Sequence, residues 1–203
     1  MTFFQSSGIM FRKEIVVKSV VLEIRETLGK GPARRARTAE KIPCSVYGLK
    51  QEPVACLVTE KNFAQIQGAD LYNVPFEIKM GDQSSTVVCR DVQWDPVTNK
   101  PLHIDFLRVQ EGAPVVARVP VEFVGMDKCP GLRQKGTLNV MLRFVRLWAK
   151  SIDHMPKKAF VDISETEAGT TLNSDIFVLP EGVELRDADK TVAKIIPPRI
   201  KAS

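Results

Sequence analysis

Apolar and polar residues alternate along much of this chain with a period of two, in short runs closed by glycine, proline or a polar turn. That is the pattern of half-buried strands; helices repeat their apolar positions every three to four residues. The first run, Ile15 to Ile24, is rich in β-branched residues and reads as a strand, ended by Leu-Gly-Lys-Gly. Pro32 suits the first turn of a short helix, PARRARTAEK, which Pro43 stops. On that helix Arg34, Arg37 and Lys41 share one face, with Arg35 beside them. Cys44–Tyr47 and Val54–Val58 read as strands around a GLKQEP turn. Thr59 is a good N-cap for a second helix, EKNFAQIQG, whose apolar side is Phe63 and Ile66 and whose end is Gly68. Strands follow at Val74–Met80 and Ser85–Trp94 around a Gly81-Asp82 turn. After the loop DPVTNKP, LHIDFLRV completes a hairpin. In it Leu102, Ile104 and Phe106 point one way, His103 and Asp105 the other.

QEGAP, Gln110 to Pro114, has Gly and Pro and no periodicity, and it sets a domain boundary. The expected organisation is an extension at 1–14, a first domain at 15–110 and a second at 111–203. The second opens on a strand with Val115, Ala117, Val119, Val121 and Phe123 inward and Arg118 and Glu122 outward. MDKCPGLRQKG reads as a long polar loop and Leu138–Ala149 as one strand. Ala159–Ile163 and Ile176–Val178 read as further strands, LPEG as a turn, and Thr191–Ile196 as the last strand before Pro197-Pro198. The expected fold class is therefore mainly β: a small N-terminal β-barrel with two short helices, followed by a second, mostly β domain.

A chain of 203 residues is comfortable for two such cores, and no apolar run approaches the roughly 18 residues of a membrane-spanning helix. The net charge of +5 is modest, but its placement changes the picture. Arg25, Lys30, Arg34, Arg35, Arg37, Lys41 and Lys50 face only Glu26 and Glu40 within residues 25–50, so this segment alone carries +5. A field that local attracts a polyanion. Cys44, Cys56, Cys89 and Cys129 show no CxxC spacing and no histidine neighbours, which argues against zinc or redox chemistry. They fit small buried apolar residues in a reducing compartment.

Lys30 lies between two glycines, which let backbone N–H groups join the lysine around phosphate oxygens. The frame of a phosphate-binding GxxxxGK[ST] loop is missing, which argues against nucleotide hydrolysis. Arginines on one helical face give planar, bidentate hydrogen bonds to phosphate, although a solvated surface helix has the same composition. Tyr47 stacks on a base, donates to a phosphate, or simply packs. His103 and Asp105, on one face of a strand, suit metal binding, acid–base work, RNA contact or plain structure, since a carboxylate fixes an imidazole's orientation.

The segments LGKGPARRAR, IPCSVYG, DVQWDP and HIDFLRV, in that order and spacing, resemble the family of the twenty-fifth protein of the bacterial large ribosomal subunit, which binds 5S ribosomal RNA. VPVEFVG, PGLRQKGTLN, LPEGVEL and VAKIIPP resemble the second domain of its long form, called Ctc or general stress protein. The likeness runs from about residue 17 to 199. It implies a barrel similar to the anticodon-binding domains of glutaminyl-tRNA synthetases. It places RNA contacts at Arg25, Lys30, Arg34, Arg35, Arg37, Tyr47, Gln93, His103 and Asp105. It also implies a cytoplasmic, ribosome-associated protein that is not an enzyme, without cofactor, metal, membrane or small-molecule substrate. Its partners would be 5S rRNA and neighbouring large-subunit proteins or rRNA. Leu49 stands where the family has a second glycine after the tyrosine, and Leu142–Asp162 is unusually basic, a candidate secondary RNA contact. Two other classes remain open: a stress-induced regulator that binds RNA off the ribosome, and a metal-dependent hydrolase built on His103 and Asp105.

Overall fold

The computed structural model describes residues 19–198 except 111 and 188. The extension expected at 1–14, and the start of the strand expected from Ile15, lie outside them. The first half is a closed barrel of β1 (Ser19–Ile24), β2 (Lys41–Gly48), β3 (Gln51–Thr59), β4 (Phe76–Met80), β5 (Gln83–Trp94) and β6 (Pro101–Arg108). Their spatial order is β1-β3-β2-β6-β5-β4. The β2–β6 and β1–β4 pairs are parallel, and β1–β4 closes the ring. The period-two pattern is realised directly: Val46, Cys56, Ile78, Ile104 and Phe106 point inward and are fully buried. Phe76 meets Phe106 edge-on at 5.6 Å. The helix α2 (Glu60–Ile66) is capped by Thr59, whose Oγ1 accepts from the Asn62 N–H at 3.2 Å, and it buries Phe63 and Ile66 in the barrel core. Each such side chain contributes about 1.5–3 kcal/mol. The four cysteines are free and buried, and burial pushes the Cys89 thiol up to about 12, so it stays protonated.

The other helix, α1 (Lys30–Thr38), begins and ends earlier than expected. Glu40 takes φ 56°, the chain turns, and Lys41 enters β2 and not the helix. Pro43 is likewise inside β2, placed where it does no harm, because pairing with β6 begins only at Cys44. At the β2–β3 hairpin Leu49 and Lys50 both have positive φ, 54° and 58°, the geometry that suits the twist of a two-residue turn. Neither is glycine, at a cost of about 1 kcal/mol each. Gly48 is required: its φ is 114°, and a Cβ there would lie 3.1 Å from the Arg108 carbonyl.

The second half is two facing layers. One is a sheet ordered β10 (Ala159–Asp162), β7 (Val115–Val124), β9 (Phe144–Ala149) and β12 (Val183–Leu185). The other is ordered β11 (Thr171–Asn173), β13 (Thr191–Ile196) and β8 (Thr137–Val140). Val161, Ile163, Leu172, Val192 and Ile195 fill the space between them. The single strand expected over Leu138–Ala149 is two, β8 and β9, one in each layer; the Met141 and Leu142 N–H groups both bond the Val192 carbonyl where the chain crosses. The strand expected at Ile176–Val178 is absent: Ser174–Ile176 form a 3-10 turn. The expected polar loop holds a one-turn helix, α3 (Pro130–Arg133), beside the buried Cys129.

The halves are joined by specific contacts. Asn73 Nδ2 donates to the Pro156 and Lys157 carbonyls at 2.8 Å each, and Arg90 Nη1 donates to the Val116 carbonyl at 2.8 Å. Val88 of β5 belongs to the second half's core. Tyr72 packs edge-on against Phe144 at 5.6 Å, and the Arg118 guanidinium lies 5.9 Å from the Tyr72 ring centre.

Candidate nucleic-acid interface

The cationic helix stands on the surface: α1 buries none of its residues fully, and only Pro32, Ala33 and Ala36 are half-buried. Gly29, with φ 112°, sets up its start, so Lys30 opens the helix with the backbone turned back from β1. Lys30, Arg34 and Arg35 are exposed and make no ion pair among the described residues. Two arginines do structural work as well. Arg25 bridges its own loop, Nε donating to the Thr27 carbonyl at 2.8 Å and Nη2 to the Gly29 carbonyl at 3.1 Å. Arg37 Nε donates to the Leu102 carbonyl at 3.0 Å and so lashes the helix to the start of β6. Lys41, which the sequence places on the helix face, instead pairs with Glu23 on β1.

The remaining predicted residues come together on the outer wall of the barrel. Outward-facing positions on β2, β6 and β5 align in rows: Ser45 opposite Asp105 opposite Asp91, and His103 opposite Gln93. His103 Nδ1 lies 3.3 Å from Asp105 Oδ1, and Nε2 lies 3.3 Å from the Ser45 hydroxyl. The carboxylate and the hydroxyl thus engage the two ring nitrogens and fix the imidazole plane on the surface. Tyr47 follows Ser45 on the same face of β2; partial burial, then the Asp105 carboxylate, pushes its hydroxyl up, so it remains a neutral donor. Gln93 is exposed beside His103. Arg25 joins the row from the other side: its backbone N–H bonds Ala55, which is opposite Ser45. Ala55 and Ser45 thus make a small-residue floor between the Arg25 loop and the His103–Asp105 pair.

Arg25, Tyr47, Gln93, His103 and Asp105 therefore share one wall, with Lys30, Arg34, Arg35 and Arg37 on the helix at its β6 end. Ser45 and Asp91 belong to this wall and carry no motif of their own. Ser45 is signalled only by alternation, as the polar residue between Cys44 and Val46; Asp91 is set by a bulge, where the register slips between Cys89 and Asp91. Among the described residues no group of three or more His, Cys, Asp or Glu side chains is placed to hold a metal ion. No helix among them is long and apolar enough to cross a membrane.

Comparison with known proteins finds two matched stretches of the chain. Residues 20–106 match the Ribosomal L25p family, and residues 114–199 match the family of the C-terminal domain of ribosomal protein TL5. The large ribosomal subunit protein bL25 of Methylobacterium sp. is 39% identical over 185 residues, 90% of this chain and 85% of that one. The bL25 of Azorhizobium caulinodans is 39% identical over 90% of this chain and 88% of its own length. That of Rhizorhabdus wittichii is 33% identical, covering 87% and 86%.

Proposed function

Since this chain belongs to the bL25 family of large ribosomal subunit proteins, in the form with a TL5-type second domain, we propose that it grips 5S rRNA with the outer wall of its barrel. Its coarse role is that of a ribosomal protein that binds rRNA. The RNA-binding unit is residues 15–110, and residues 111–203 dock it against its surroundings in the subunit, including neighbouring large-subunit proteins.

The observation that supports this most is the adjacency of two unlike chemistries. A helix of unpaired cations lies against a strand wall whose polar groups are fixed by one another. The cations lower the repulsion between phosphates that a folded RNA brings close, and each fully used contact adds about 0.7–0.9 to the slope of log affinity against log salt. The wall supplies direction. Tyr47 and Gln93 donate and accept hydrogen bonds, and Asp105, partly exposed, accepts from a base amino group or a 2′-hydroxyl. Phosphates alone would be repelled by Asp105, so its presence selects for nucleotide edges.

A gel shift with 5S rRNA against an unrelated hairpin RNA of equal length tests this. The full chain should prefer the 5S rRNA by at least tenfold at physiological salt; equal binding to both would sink the proposal. Co-sedimentation separates the structural role from a regulatory one off the ribosome, because a structural protein travels with large subunits at that salt.

A further inference from the structure

We infer that the outward face of the second half's first sheet, centred on Arg118, Arg146 and Trp148, is a second RNA-binding surface continuous with the barrel wall. It deepens the reading above and rests on it. The continuity is a chain of neighbours. Asp105 is opposite Asp91 on β5, and Asp91 Oδ1 accepts from Arg118 Nη1 at 2.9 Å. Arg118 is opposite Arg146 across the β7–β9 pair. The row that begins on the barrel thus crosses the junction without a break.

Arg118 and Arg146 are like charges directly opposite each other, an arrangement that repels across an antiparallel pair. Their side chains are 44% and 51% exposed, and each is held by a carboxylate from a different quarter: Arg118 by Asp91 of the barrel, Arg146 by Asp187 beyond β12. Each guanidinium is drawn to its own carboxylate yet stays half exposed, so a phosphate approaching the pair meets the free N–H groups that Asp91 and Asp187 leave. The next pair on the same face is Val116 and Trp148. Val145, Leu147 and Ala149 point the other way and are fully buried, so the half-buried Trp148 presents an aromatic surface outward, with exposed Lys150 next in line. Along β9 the indole lies between Arg146 and Lys150, and across to β12 it is opposite the exposed Glu184; an aromatic face set among such polar groups is what an unpaired base stacks on.

Charge is segregated in the same sense. Residues 142–150 contain Arg143, Arg146 and Lys150 and no acid. The acids Asp162, Glu165 and Glu167 gather around an open groove of about 630 Å³ that Leu172 of the other layer helps to line. The groove repels a polyanion, while on the first-sheet face Glu122 and Asp187 are paired with Lys158 and Arg146 and the exposed Lys150 makes no ion pair among the described residues.

The test places a photo-crosslinking side chain at Lys150 in the full chain, assembled into large subunits, and a second one at Lys30 as the barrel probe. The expected result is an rRNA crosslink from both. RNA at Lys30 with only protein, or nothing, at Lys150 overturns the second surface and leaves the barrel reading standing; no RNA at either position overturns both. Lys150→Glu, an exposed position away from the barrel, should lower the salt slope for deproteinised large-subunit rRNA by about 0.8. An unchanged slope in a normally folded variant would also overturn it.

Discussion

The corner of the second half around Asp187 and the barrel wall around Asp105 both set a carboxylate beside cationic or cation-forming partners, and they do so in opposite ways. Asp187 is 5% exposed and saturated: Arg146 reaches it through Nε and Nη2, with the shortest contact 2.7 Å, the Arg146 backbone N–H donates at 2.9 Å, and Lys190 at 2.8 Å. Asp105 is 30% exposed, has one long contact to His103, and sits opposite a second acid. A carboxylate has about four acceptor positions. Where all are filled from within, the group fixes the fold; where most are open to solvent, the group is available to a ligand.

The comparison breaks most visibly at Asp187. Asp187→Ala should lower the free energy of unfolding by about 3 kcal/mol, the low end for breaking a buried pair because Arg146 regains water, and urea midpoints measure it. RNA affinity of the barrel should hardly move. On the other side, Arg34→Ala with Arg35→Ala should weaken 5S rRNA binding by about 2 kcal/mol and flatten the salt slope by about 1.5, with unfolding unchanged. An unchanged slope would make α1 a merely solvated helix.

Acid sharpens the contrast. The Arg146 guanidinium, with Lys190, holds the Asp187 carboxyl well below the usual range. Its pKa is lower folded than unfolded, so its stabilisation is complete above the unfolded value of about 3.9 and is lost as pH falls below it. Between pH 5 and 3 the wild type should lose about 1.3 kcal/mol more than Asp187→Asn. Asp105→Asn should move stability by less than about 0.5 kcal/mol and weaken RNA binding by about 1 kcal/mol. Tighter binding by this variant would mean that Asp105 only repels phosphate.

The barrel was legible in the sequence because its strands are bounded by Gly and Pro and alternate cleanly, as in Leu102 to Phe106. The second half was less so wherever tertiary structure overrode a local signal. Nothing in Leu138–Ala149 marks a break, since no Gly or Pro stands at Met141–Arg143; the strand divides because its halves pair in different layers. PARRARTAEK has the composition of a helix through Lys41, yet Ile42 is drawn into the core and the chain must turn at Glu40 to put it there. For the candidate site, the residues were visible one by one. Their neighbourhood was not, because it depends on register: Ser45 reaches His103 only through a parallel pairing between strands far apart in sequence, and Arg118 reaches Asp91 only across the junction.

That parallel pairing has a consequence for biogenesis. β2 and β6 are joined at Cys44 and Ile104, 60 positions apart, and β1 closes on β4 over nearly as long a loop. Contacts of such long range form late, after the entropy of closing the loops has been overcome. As the chain is synthesised, the arginines of α1 emerge well before the strand that carries His103 and Asp105. Until β6 docks, the nascent protein has the cations without the wall proposed to recognise RNA; on that proposal, discrimination among RNAs arrives in a single step, with the closing of the barrel.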